Sequence, residues 1–131
     1  MKNLFLVTIL MVVLSLTTLA NINTEDVIKP YSISKLTLKS LIQGINSDNF
    51  GLKVSSAQRL GELKISEGVI PLMSMLRNDD DERARIAAAL ALIKIGDARG
   101  LFAVKQAAKF DDSERVRAMC EKFYLSYQKN I

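Results

Sequence analysis

Residues 80–97 read Asp-Asp-Glu-Arg-Ala-Arg-Ile-Ala-Ala-Ala-Leu-Ala-Leu-Ile-Lys-Ile-Gly-Asp, and this stretch decides the fold. Asp80 or Asp81 can cap a helix, because a carboxylate there accepts the orphan backbone N–H groups of the first turn. Glu82 then sits at the positive end of the helix dipole. Ala84, Ala88, Leu92 and Ile95 follow at spacings of four, four and three, which make one apolar stripe on a helix. Ala87 and Ala91 widen the stripe, and so many alanines let neighbouring helices come close. Gly96 ends the helix in the way glycine commonly does. Asp97 caps a following helix whose inner face is Leu101, Val104 and Ala108.

The same pattern recurs at a fixed offset of 32 residues without a gap. Asp48, Asp80 and Asp112 align, as do Lys53, Arg85 and Arg117. Leu52, Ala84 and Val116 align, then Ser56, Ala88 and Cys120 as small residues, then Leu60, Leu92 and Tyr124 as large ones. Gly68 matches Gly100, Leu72 matches Val104, and Asp79 matches Asp111. A simple helical bundle explains the stripes but not this frame, so a repeat architecture is expected. In the first unit the stripes are Leu52, Ser56, Leu60 and Leu63, then Val69, Leu72, Met73 and Leu76. The closing stripe is Val116, Cys120, Phe123, Tyr124 and Tyr127. Upstream, Leu38, Leu41, Ile42 and Ile45 form the second half of a preceding unit. The fold class expected is all-α, a short α-solenoid of about six helices over 32–46, 50–64, 67–78, 82–95, 98–109 and 113–128.

The segment from Ala84-Arg85 through Ala91-Leu92 to Ile95-Gly96-Asp97 resembles the HEAT-like repeat signature, including the variety named after phycobilisome-lyase subunits. Val116-Arg117 and Leu60-Gly61 echo it, and the resemblance covers residues 47–128. Ile93 stands where the signature has glycine, and the first unit lacks the Gly-Asp turn; terminal repeats are commonly atypical. The resemblance implies that Arg85, and Arg117 in the same position, pairs with an acidic turn residue of a neighbouring unit. Asp97 is the candidate partner. The repeat positions Asp80, Arg85, Gly96, Asp97, Asp112 and Arg117 are therefore read as structural, against the alternative of an arginine ladder that binds a ligand on the concave face.

The 131 residues suit one small domain, and the first twenty read as an address. Lys2 precedes an apolar run from Leu4 to Leu14 broken by Thr8, and Thr18-Leu19-Ala20 supplies a small residue before Asn21. This is the layout of a secretory signal peptide over 1–20. An uncleaved anchor and a buried N-terminal helix are the alternatives, and membrane association follows only from the anchor. Residues 21–31 read as a linker and 32–131 as the HEAT-like domain. The expected location is periplasmic or extracellular, in a bacterium.

Chemistry is sparse. The chain has no histidine, which removes the commonest general base and metal ligand. No phosphate loop or nucleophile motif occurs. Asp79-Asp80-Asp81-Glu82 fails the calcium-loop frame, since Arg83 and Arg85 interrupt it. Cys120 is the single cysteine and reads as a small buried residue. Beyond Lys2 there are 17 basic and 14 acidic groups with both signs interspersed, which is no nucleic-acid footprint. No catalytic residue, metal or cofactor is expected. The partner expected is a protein, because HEAT-like arrays bind through an extended face. The function expected is an interaction or scaffold module, or else a non-catalytic subunit of an envelope enzyme complex.

Overall fold

The computed structural model describes residues 33–131; the expected signal peptide and linker lie outside these. Residues 34–131 form one compact unit. Six α-helices occupy it: α1 Lys35–Ile45, α2 Phe50–Glu62, α3 Val69–Asn78, α4 Glu82–Ile95, α5 Ala98–Phe110 and α6 Glu114–Lys129. There is no strand among the described residues. A single 3-10 turn, Ser66–Gly68, leads into α3, where the sequence pattern placed the start of the helix itself. None of these helices is long and apolar enough to cross a membrane.

Side-chain caps set most of the boundaries. Ser34, Asn49, Asp81, Asp97 and Ser113 each accept a backbone N–H from the first turn of the helix that follows. Of the two aspartates expected to cap α4, Asp81 does so, and α6 is capped by Ser113 rather than by Asp112. Gly96 terminates α4 with φ 76°, a left-handed conformation that costs glycine little. The first unit makes the corresponding turn at Lys64, φ 51°, without a glycine.

The helices form two layers. α2, α4 and α6 pack side by side, α1, α3 and α5 form the second layer, and each helix of that layer packs on the first-layer helix that follows it. The core lies between the layers: Leu60, Val69, Leu72, Leu92, Val104, Val116 and Cys120 are fully buried. α4 is the central element, so Ala84, Ala88, Ala89, Ala91 and Leu92 are buried along it. Its contact with α2 is close because a glycine faces an alanine: a Cβ at Gly61 would lie 2.8 Å from the Ala91 Cα. Leucine sits over glycine at equivalent positions in both full units. Leu60 packs against Gly68 and Leu92 against Gly100, with a Cβ on either glycine falling about 3 Å from the leucine.

The two ends of the stack depart from the repeat. Leu52, expected in the buried stripe with Ala84 and Val116, is 51% exposed. Among the described residues no first-layer helix precedes α2 to cover it. At the other end, the position equivalent to buried Ala89 is Glu121, which is exposed. A carboxylate there stays in solvent where α4 buries an alanine, and Leu125 one turn on is 49% exposed.

Cys120 is completely buried, as expected of a small residue in a helix interface. Burial, helped by Asp111, pushes its thiol up to about 12, so it carries no thiolate near neutrality. The native protein should therefore resist a thiol reagent such as DTNB at pH 8, and react at once when unfolded in guanidinium. Fast labelling of the native protein would contradict this burial.

Candidate functional site

The turns that join the second layer to the first carry most of the polar organisation. Asp79 ends α3 and Asp111 ends α5; each accepts the backbone N–H two residues on, from Asp81 at 3.0 Å and from Ser113 at 2.9 Å. Each also takes a cation from a helix 26 residues earlier: Lys53 Nζ lies 2.6 Å from Asp79, and Arg85 grips Asp111 through Nε and Nη2 at 3.0 and 2.9 Å. The bidentate pair is the more buried, with side chains 13% and 9% exposed. Hydrogen bonding to these carboxylates raises the pKa of both Lys53 and Arg85.

The repeat arginine has a second task. Arg85 Nη1 donates to the carbonyl of Asp79 at 2.9 Å, and Arg117 Nη1 donates to that of Asp111 at 2.6 Å. One guanidinium thus staples the turn before its own helix and, in Arg85, the turn of the next unit as well. Asp97 is not the partner of Arg85. It caps α5 and binds Arg99 at 2.9 Å, while Arg85 is held by Asp111. The reason is geometric: Arg85 lies in the first turn of α4 and Asp97 just beyond its end, about 18 Å away along a helix that rises 1.5 Å per residue. The antiparallel return of α5 brings Asp111 back to the end of α4 where Arg85 stands.

Further links are outlying. Glu82 on α4 accepts from Ser113 Oγ at 2.6 Å and Arg115 at 3.1 Å, tying successive units together. Asp81 and Asp97 are each lowered to about 2, first by the side-chain hydrogen bond from Arg83 or Arg99 and then by a backbone N–H of the helix. Because these pKa values are depressed in the folded state, their contribution to stability is complete above the unfolded value of roughly 4 and is lost as pH falls toward 2. The melting temperature should stay level from pH 7 to pH 5 and fall between pH 4 and pH 2. Asp81→Asn, which keeps the cap, should flatten that fall; an identical acid profile would refute the assignment.

Asp80 and Asp112 stand apart from all of this. Their side chains make no hydrogen bond or ion pair among the described residues, and both are exposed. They border a groove of about 700 Å³ between α3 and α5. Met73, Leu76 and Arg77 of α3 line one wall, and Phe102, Ala103, Ala107 and Phe110 of α5 the other. Phe102 is 62% exposed and Phe110 73%. Ile70, the counterpart of Phe102 one repeat earlier, is 58% exposed. A smaller acidic cleft with Asp48 and Phe50 adjoins at Asp79 and Asp80. The sequence stripes did not predict the groove. Ile70 and Phe102 fall off the inner face, and their recurrence at the repeat offset was the signal available.

Comparison with protein families identifies the architecture. A family model for HEAT repeats matches residues 38–122, most of the described helices, and the chain belongs to this family. HEAT repeats commonly mediate protein–protein interaction. No curated protein matches the chain.

Proposed function

We propose that this chain is an exported, non-catalytic interaction module that binds a protein partner through the groove between α3 and α5. The observation that carries the reading is the pair of exposed phenylalanines, Phe102 and Phe110, with Ala103 and Ala107 between them on the α5 wall of a groove of about 700 Å³. Single exposed apolar residues are ordinary, but two phenylalanines on a concave surface of this size, with Met73 and Leu76 opposite and carboxylates at its edge, give a partner side chain an apolar place to leave water. The ion pairs and caps are used up in holding the repeats together, which supports assigning binding to the second-layer face rather than to the arginines. The secretory layout of residues 1–20 supports placing this binding activity outside the cytoplasm.

Two measurements test it. A photo-reactive benzoylphenylalanine at 102 or 110 should cross-link a discrete protein in the native cell, and the same group at Gln128 should not. Equal cross-linking from all three positions sinks the groove assignment. The N-terminus of the mature protein should be Asn21; an intact Met1 on membrane-bound material replaces export with anchoring.

A further inference from the structure

The groove also shows what kind of segment fills it, and this inference rests on the groove reading above. We propose that the occupant is a basic, apolar protein segment. Its large apolar side chains lie between Phe102 and Phe110 over Ala103 and Ala107, and its Lys or Arg side chains lie against Asp80 and Asp112.

Arg77, Asp79, Asp80, Arg85, Asp111 and Asp112 are the ionisable groups lining the groove. Arg85 is spent on Asp111, and Asp79 is spent on Lys53. Arg77 then faces two carboxylates, Asp80 and Asp112, that make no ion pair among the described residues; Lys53 and Arg85 act on them only at a distance, and Arg117 touches the Asp112 carbonyl. Neither is needed to build the turn. Asp81 and Ser113 do the capping, and Asp79 and Asp111 hold the cations. A carboxylate one residue before the cap gains little from the helix dipole. Asp48 occupies the same place in the first turn, beside Asn49, and lines the adjoining cleft. The acidic edge thus repeats with the fold and runs beside the phenylalanines of the groove. Adjacent turns are separated by about one helix-packing distance, roughly 8–10 Å. That is about three residues of extended chain at 3.3 Å each, which sets the spacing of cations the edge would match. An acidic segment would set like charges on that edge and be rejected.

The probes are two fluorescein-labelled synthetic peptides with the same leucine pattern, one carrying Lys and the other Glu at every third position. Fluorescence anisotropy on the full chain should show the Lys peptide binding at least tenfold more tightly. Asp80→Lys combined with Asp112→Lys should invert that preference, with circular dichroism unchanged because both sites are exposed. Phe102→Ala with Phe110→Ala should weaken the Lys peptide at least tenfold. Equal binding of the two peptides, or a Lys preference that survives the double charge reversal, overturns the proposed chemistry and leaves the groove reading standing. Binding that ignores Phe102 and Phe110, or no binding of either peptide, overturns the groove reading with it. Lys105 and Lys109 share α5 with the phenylalanines, so phosphatidylglycerol vesicles form the last arm. Vesicle binding that depends on Phe102 and Phe110, in place of peptide binding, also overturns the proposal.

Discussion

Arg85→Glu should lower the melting temperature by roughly 12–24 °C. The replacement removes a bidentate partner from the nearly buried Asp111, places a second carboxylate against it, and frees the Asp79 carbonyl from its donor. Breaking one side of a buried ion pair costs about 3–5 kcal/mol, and the residual exposure here points to the lower end. In a domain of about 100 residues each kcal/mol shifts the midpoint by about 4–8 °C. The partner can be named by rescue. Arg85→Glu with Asp111→Arg should recover part of the loss, whereas Arg85→Glu with Asp97→Arg should recover none and lose a cap besides. Rescue by the Asp97 exchange would contradict the geometry. Lys53→Glu should cost less than Arg85→Glu, because its ammonium makes one contact where the guanidinium makes three strong ones.

The fate of Arg85 shows what could be read from sequence and what could not. The helices were legible because each announces itself locally: Asp81 and Asp97 as caps, Gly96 as a stop, Ala84 to Leu92 as a stripe. The offset of 32 was legible because Leu60 and Leu92, Gly68 and Gly100, Asp79 and Asp111 occupy equivalent places in a stacked array. Which acid meets Arg85 depends on the end of the stack to which each turn returns, a property of the antiparallel layers rather than of neighbouring letters. Leu52 is exposed for a related reason. The repeat frame gives it the place of Ala84, but burial there requires a preceding helix, and the frame cannot supply one. The groove is not legible in the stripes because they mark only the inward faces of the helices. Phe102 and Phe110 are apolar residues left facing out, and only the two-layer arrangement shows that they flank one cavity. Recurrence alone assigns Asp80 and Asp112 to the scaffold. The turn geometry transfers that role to their neighbours and leaves them on the rim.

Leu92→Ala should destabilise the protein by about 3–5 kcal/mol, an effect of the same order as the loss of Arg85. Leu92 is fully buried in the central helix, its side chain fills the space above Gly100, and the close approach of α4 to α2 at Gly61 and Ala91 leaves the backbone little room to collapse into a void. A cavity should therefore persist, and its cost adds to the lost transfer energy. The glycine makes the prediction sharper. In the native protein a Cβ at position 100 would sit 2.9 Å from a Leu92 methyl, so Gly100→Ala alone should be neutral or mildly destabilising despite the higher helix propensity of alanine. In the Leu92→Ala background that methyl is gone, the added Cβ occupies part of the void, and Gly100→Ala should become stabilising. Urea unfolding of the four proteins measures the coupling, expected at about 1 kcal/mol or more for side chains in direct contact. Strict additivity would mean that leucine and glycine are not fitted to each other. The same cycle at Leu60 and Gly68 should then reproduce the sign of the coupling, because the repeat places the same leucine over the same glycine one unit earlier.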